Sequence, residues 1–252
     1  MNKTGISWTD FTLNPLTGCT PISEGCKHCY AAEIYQRHRW DFRPAFHPER
    51  LKEINRIPSG SKVFIGSVTD IFHDSFFNTS AGVSQDPLLL LYDRMLSRPD
   101  VTFQILTKRP WNAEAFFRDH PAPLHLWIGT SLESRKWLVR VEYLKRIRAS
   151  VRFLSCEPLL EDLTLPDTRL FVNNLDGFRG IGSYLDGIQW VIAGAESGLY
   201  RRKFDEQWAV NIMKECRARN IPFFYKQGSA RAPGWHDRLE GKEYKEFPEA
   251  AQ

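Results

Sequence analysis

The sequence predicts an α/β fold built on a parallel sheet, either an open partial barrel or a doubly wound sheet. Three observations carry this. Short apolar, β-branched runs recur along the chain, and most are followed by a stretch of helical periodicity. The runs are continuously apolar rather than alternating, as strands covered on both faces are. Polar residues then gather at the downstream ends of the runs, where parallel sheets place their sites.

Residues 7–13 read as the first strand and 29–39 (CYAAEIYQRHR) as a helix. Residues 63–68 (VFIGSV) form a second strand ending at Thr69 and Asp70, and 87–96 (PLLLLYDRML) a helix. Residues 102–106 (TFQIL) form a third strand ending at Thr107, Lys108 and Arg109, and a short helix opened by Pro110 covers 112–118. Residues 126–129 (LWIG) lead to Thr130, Ser131, Leu132 and Glu133. The helix over 135–148 is the clearest, with Leu138, Val141, Leu144 and Ile147 on one face. Residues 151–155 (VRFLS) lead to Cys156 and Glu157, and 189–193 (QWVIA) to Glu196. A helix over 205–219, capped by Asp205, precedes a last strand at 222–225 ending at Lys226. Six or seven βα units fall short of the eight of a closed barrel. Residues 161–187 read as an inserted loop. Residues 1–228 are assigned to the barrel and 229–252 to a tail packed on it or extending from it.

The 252 residues are 42% hydrophobic, enough to bury a core without disulfides. A net charge of +4 permits a nucleic-acid partner without requiring one. No run approaches the roughly 18 apolar residues of a membrane span. The opening MNKTGISWTD lacks the apolar core of a signal peptide, so a cytoplasmic protein with no membrane partner is expected.

Three of the five cysteines, Cys19, Cys26 and Cys29, lie in one loop with C-x6-C-x2-C spacing. In a reducing compartment such clustering favours metal over disulfides. Three thiolates can hold three irons of a cubane cluster, leaving the fourth iron open to a small molecule. S-adenosylmethionine suits that position through its amino and carboxylate groups, and an electron passed to its sulfonium yields a 5′-deoxyadenosyl radical. Other readings stand beside this one. Zinc would use the same thiols with His28, His38 or His47, and Cys156 or Cys216 would close a purely structural cluster. A hydrolase would gather Asp70, Glu157 and Glu196 around a divalent cation. Glu157 and Glu196 end strands and would orient substrate or move a proton. Cys156 is read as packing in preference to a hydrogen-atom donor. Arg135, Lys136, Arg140, Lys145, Arg146 and Arg148 read as a solvated helix face. Arg201, Arg202 and Lys203 would hold phosphates or simply line a surface loop. Trp111, Trp127, Trp208 and Trp235 would stack bases or fill core.

The segment WTDFTLNPLTGCTPISEGCKHCYA resembles the signature of a phage-associated three-cysteine-motif family. The blocks VFIGSVTDIFHD, FQILTKRP, LWIGTSLES, VRFLSCEPLL, WVIAGAESG, IPFFYKQ and RLEGKEYKEFP extend the resemblance over most of the chain. That family is related to radical-SAM enzymes, nearest the spore photoproduct lyase branch. The resemblance implies a partial (βα)6-type parallel barrel, a [4Fe–4S] cluster on Cys19, Cys26 and Cys29, and S-adenosylmethionine as cofactor. It places His28 near adenine, Ser67, Thr69 and Asp70 near the methionine amino group, and Lys108 on its carboxylate. It gives Ser131 a bond to the cofactor and Glu133 a reach to the ribose. It implies a nucleic-acid or modified-nucleotide substrate and a reductant of flavodoxin or ferredoxin type. Two departures stand out: the usual spacing is C-x3-C-x2-C, and the usual Gly-Gly-Glu after the second strand is missing.

Overall fold

The structure is a computed structural model and describes residues 2–77, 86–164, 170–173, 178–181, 183–232 and 234–249. In chain order the elements are β1 (Asn2–Lys3), β2 (Phe11–Leu13), β3 (Leu16–Thr17), α1 (Tyr30–His38), β4 (Ala45–Phe46), a 3-10 helix (Pro48–Arg56) and β5 (Lys62–Ile65). There follow α2 (Asp74–Phe77), α3 (Pro87–Leu96), β6 (Thr102–Thr107), α4 (Pro110–Asp119), β7 (Leu126–Ser131), α5 (Val139–Arg146) and β8 (Arg152–Cys156). The rest are β9 (Leu170–Asn173), β10 (Phe178–Ile181), β11 (Trp190–Gly194), α6 (Glu206–Ala218), β12 (Phe223–Gln227), β13 (Arg238–Leu239) and β14 (Lys242–Glu243).

The main sheet runs β1-β2-β5-β6-β7-β8-β11-β12. Its last seven strands are parallel and curl into a half-barrel, while β1 joins antiparallel at one margin. The sequence reading of an α/β parallel sheet thus holds, with strands at all seven anticipated places.

Side chains of a strand alternate between faces, and the two faces differ here. Val63, Ile65, Phe103, Ile105, Ile128, Leu154, Val191 and Phe223 pack against the apolar stripes of the helices. Those stripes include Leu88 and Leu91 of α3, Phe116 of α4, Val141 and Leu144 of α5, and Met213 of α6. On the concave face Phe64, Trp127, Phe153, Trp190, Ile192 and Phe224 form a separate layer with Trp8. Trp190 is fully buried and stands 5.6–6.2 Å from the rings of Trp8, Trp127, Phe153 and Phe224.

Helix ends follow local chemistry. Asp86 accepts from the Leu88 and Leu89 amides at the start of α3, whose first residue is Pro87. Asp205 caps α6 through the Gln207 amide, as the sequence predicts.

Two departures from the sequence reading have physical causes. The stretch 161–187 is not a bare loop: β9 and β10 pair as an antiparallel hairpin, and Tyr184, Leu185 and Ile188 are buried beyond it. Residues 165–169, 174–177 and 182 of that stretch lie outside the described residues. The tail runs against the sheet. Lys245 bridges Phe224 antiparallel, Tyr225 donates its amide to the Tyr244 carbonyl, and the Trp190 indole donates to the Glu246 carbonyl at 2.8 Å. The tail therefore covers the β12 margin. Finally, Arg140 is not on a solvated face. It is fully buried, since the rotation that turns Val141 and Leu144 inward also carries Arg140 under β7.

Candidate functional site

The chain leaves β2 at Leu13, forms the short β3, and then turns over the C-terminal rim of the sheet through Cys19, Cys26 and Cys29 to α1. Each of the three thiols is free and partly exposed. Gly18 starts the turn with φ +78°, and its flank is the Arg43 and Phe42 backbone, so a Cβ there would collide. Thr69 pins the turn by donating its hydroxyl to the Gly18 carbonyl and by a parallel bridge to Gly18. Gly25 serves differently. A Cβ on it would strike the Glu133 carboxylate, so the loop lies directly on that side chain.

The rim beneath Cys19 is built on Asp70. Its buried carboxylate accepts from the Thr107 hydroxyl (2.7 Å), the Lys108 amide (3.0 Å), the Phe72 amide (3.1 Å) and Arg109 Nη1 (3.3 Å). Arg109, 2% exposed, extends Nη1 to 3.9 Å from Cys19 Sγ and Nη2 to the Thr20 carbonyl at 3.3 Å. Burial and the Asp70 charge push the Cys19 thiol up to about 11, against the opposing pull of Arg109. His73 receives the Ser75 amide on Nδ1, so its Nε2–H donates to Thr20 Oγ1 at 2.8 Å.

Beneath Cys26 the organiser is Glu133. It is fully buried and accepts from Ser23 Oγ (2.7 Å), Arg140 Nη1 (2.7 Å) and the Lys108 ammonium. Burial pushes its carboxyl up, and Lys108 and Arg140 together outweigh this, holding it below the ordinary carboxylate range. Glu24, at the head of the 3-10 turn Glu24–Cys26, accepts from Ser134 Oγ (2.5 Å) and Trp137 Nε1 (2.8 Å). Burial opposes its ionisation, but those two bonds bring it down to about 2. Arg202 closes the other side. Its Nη1 donates to the Glu24 carbonyl at 2.8 Å, while Nε and Nη2 fork onto Glu196 at 3.0 and 2.6 Å.

The sequence-derived residues therefore fall into two groups. Cys19, Cys26, Cys29, His28, Asp70, Lys108 and Glu133 meet at one rim, with His28 close enough to Glu196 to help hold its carboxyl low. Ser67 bonds Asn14 at 3.0 Å and receives the Tyr30 hydroxyl on its carbonyl. Buried Ser131 ends β7 and gives its carbonyl to Arg140 at 3.0 Å. Glu157 pairs with Lys226 at 2.6 Å. Asp70, Glu157 and Glu196 each face a cation of their own, so the carboxylate triad of the hydrolase reading does not form. His47 bonds Thr17 Oγ1 at 2.9 Å and His38 stacks on Trp40, away from any role as a zinc ligand. Cys156 and Cys216 are fully buried on the helix side of the sheet, as packing requires.

Sequence reasoning did not pick out Ser23, Glu24, His73 or Trp137 as site residues, and it read Arg202 as a phosphate holder or surface-loop cation and not as the partner of Glu196. Only a fold brings Glu24 to Trp137 or to Arg202.

Among the described residues no group of three or more His, Cys, Asp or Glu stands where it could hold a metal ion. A single tetrahedral ion draws its sulfur ligands to within about 4 Å of one another. A cubane binds each thiolate through a different iron, so its sulfurs stand further apart. The three free thiols of one loop are the donors such a group would use, and they lie over Lys108, Arg109 and Arg140, whose charges are shared with Asp70 and Glu133. They are not laid out as the shell of one zinc.

A family model described as a protein of unknown function, DUF5131, matches residues 3–248. No curated protein and no solved structure matches the chain.

Proposed function

From the premise that the chain belongs to the DUF5131 family, we propose that it is a radical S-adenosylmethionine enzyme with a partial (βα)6-type barrel, acting on nucleic acid or a modified nucleotide in the cytoplasm. One observation carries the reading: three free thiols of one loop sit on the C-terminal rim of a curled parallel sheet, above three buried or half-buried cations. Cys19, Cys26 and Cys29 would hold a [4Fe–4S] cluster. When bound, with S-adenosylmethionine and an electron from a flavodoxin- or ferredoxin-type donor, that group supplies a carbon-centred radical.

The chain's own residues position and insulate. Arg109 and Asp70 fix Cys19, and Glu133 with Ser23 fixes the turn that carries Cys26. Arg202, oriented by Glu196, holds the same turn from the opposite side. Lys108 offers its ammonium at the rim, now held by Glu133, as a point charge for a carboxylate. His28, Ser67, Thr69 and Ser131 border the same loop or strand ends. Lys226 shares the concave face with Phe224, and Glu157 beside it would orient a substrate. The aromatic layer below excludes water from the floor.

Anaerobic purification tests this. The expected result is brown protein with about four irons per chain, colour lost in Cys26→Ala, and 5′-deoxyadenosine formed with dithionite and S-adenosylmethionine. Colourless protein with one zinc per chain would instead support a non-enzymatic zinc protein.

A further inference from the structure

Beside the cysteine loop lies a surface that the rim network does not use. The segment after β11 and the segment after β12 are tied together by three contacts. Ser197 bridges Ala230, the Gly198 amide donates to the Ala230 carbonyl at 3.1 Å, and Arg201 Nε donates to Ser229 Oγ at 3.2 Å. The first segment is also joined to the cysteine loop through Arg202 and the Glu24 carbonyl.

These tied segments carry large exposed rings. Tyr200 is 73% exposed and Trp235 64%, with Leu199 at 60% between loop and solvent. Side chains of this size are ordinarily covered, and an aromatic with one wet face is a stacking platform. The same segments carry Arg201, Lys203 and Arg231, all exposed. Arg201 is held by the Ser229 hydroxyl and the Gly198 carbonyl, both neutral. None of the three forms an ion pair among the described residues, whereas their neighbour Arg202 is forked on Glu196. Three cations without carboxylates, interleaved with two exposed rings, match a chain of phosphates and unstacked bases. The adjoining cavity of about 570 Å³ does not share this character. It sets the two carboxylates of Glu206 and Asp237 against the single guanidinium of Arg238 and so does not favour an anion.

We propose that the surface formed by residues 198–203, 229–232 and 234–235 docks a single-stranded polynucleotide, with Tyr200 and Trp235 stacking bases and Arg201, Lys203 and Arg231 on phosphates. This deepens the reading above, on which it rests for the choice of substrate, and adds the place where that substrate is held. Arg202 then has two neighbours with different duties: the cysteine turn on one side and the docked strand on the other.

The test uses dye-labelled single-stranded DNA and RNA oligonucleotides and a duplex of the same sequence, titrated by anisotropy over a salt series. Iron content and 5′-deoxyadenosine formation are measured on the same preparations. Single strands should bind more tightly than the duplex, and the DNA and RNA arms show which sugar is preferred. Tyr200→Ala with Trp235→Ala should weaken binding by about tenfold or more, while Tyr200→Phe with Trp235→Phe should keep it. Arg201→Gln, Lys203→Gln and Arg231→Gln together should reduce the log–log salt slope by about two, at about 0.7 per phosphate contact. Equal binding by wild type and the alanine pair overturns the proposal. So does a preference for duplex, or a dimer that the alanine pair dissolves while no oligonucleotide binds. Absent binding with deoxyadenosine formation intact refutes the docking surface alone. Intact binding in protein that takes up no iron refutes the radical reading alone.

Discussion

Along the same strands the concave face changes character from floor to rim. On β7, Trp127 lies in a layer of packed rings, and Ser131, about 13 Å further on, sits among charges. The floor is apolar and its rings meet at tilted or edge-on angles. The rim holds Asp70, Lys108, Arg109, Glu133 and Arg140 almost without water. Burying rings is favourable in proportion to area. Burying charges is costly and is tolerated only when each is paired and hydrogen-bonded. The difference shows where the fold draws its stability and where it accepts a cost to hold three thiols in place.

The sharpest way to break this comparison is at the floor. Trp190→Ala removes a fully buried ring with five aromatic neighbours and the indole bond to Glu246. We expect a loss of about 3–5 kcal/mol in urea unfolding, with thiol labelling of native Cys19, Cys26 and Cys29 unchanged below the transition. A loss under about 1 kcal/mol would deny the floor its role.

The rim should respond on two axes at once. Glu133→Gln removes the charge shared by Lys108 and Arg140 and disturbs the Ser23 bond. The expected cost is about 2–3 kcal/mol, together with faster alkylation of Cys26 in the native protein. Lowered stability with unchanged alkylation would mean that Glu133 supports the fold but not the loop.

The most local effect belongs to Glu24. Its carboxyl lies at about 2 in the folded chain against an ordinary 4.5. A depressed carboxyl stabilises the fold above its unfolded value and loses that contribution as pH falls through the folded one. Stability should therefore decline between pH 4.5 and about 2, and Glu24→Gln should flatten that part of the acid limb while leaving its steeper remainder. An unchanged limb would show that the Ser134 and Trp137 bonds do not hold the turn.

Much of this was legible in the chain itself. The strands after 62, 102, 126, 152, 190 and 223 are marked by apolar runs, and the loop by three cysteines. Asp70, Lys108 and Glu133 stand at strand ends, and the structure does bring them together. The contacts that fix the loop were not legible. Arg140 looks like one of six helix cations until Glu133, seven residues back, is seen to fold beneath it. Arg202 reaches Glu24 across 178 residues, and no local period encodes that bond. Glu196 likewise serves Arg202 and acts at the site through it, because a strand-end carboxylate finds whichever cation its loop delivers.

Among the described residues the outer parallel strands of the main sheet, β2 and β12, each have a neighbour on their outer side. Asn2 and Lys3 flank β2, and Tyr244 to Glu246 run along β12. Edge strands are where β proteins recruit, exchange or fibrillise. A further polypeptide would meet only the two-residue β1 and the short tail segment at these margins, so assembly with another chain would rest on side chains of loops and helices. Encounters of that sort are dissolved by point substitutions without unravelling the sheet, which keeps assembly and architecture separable by mutation.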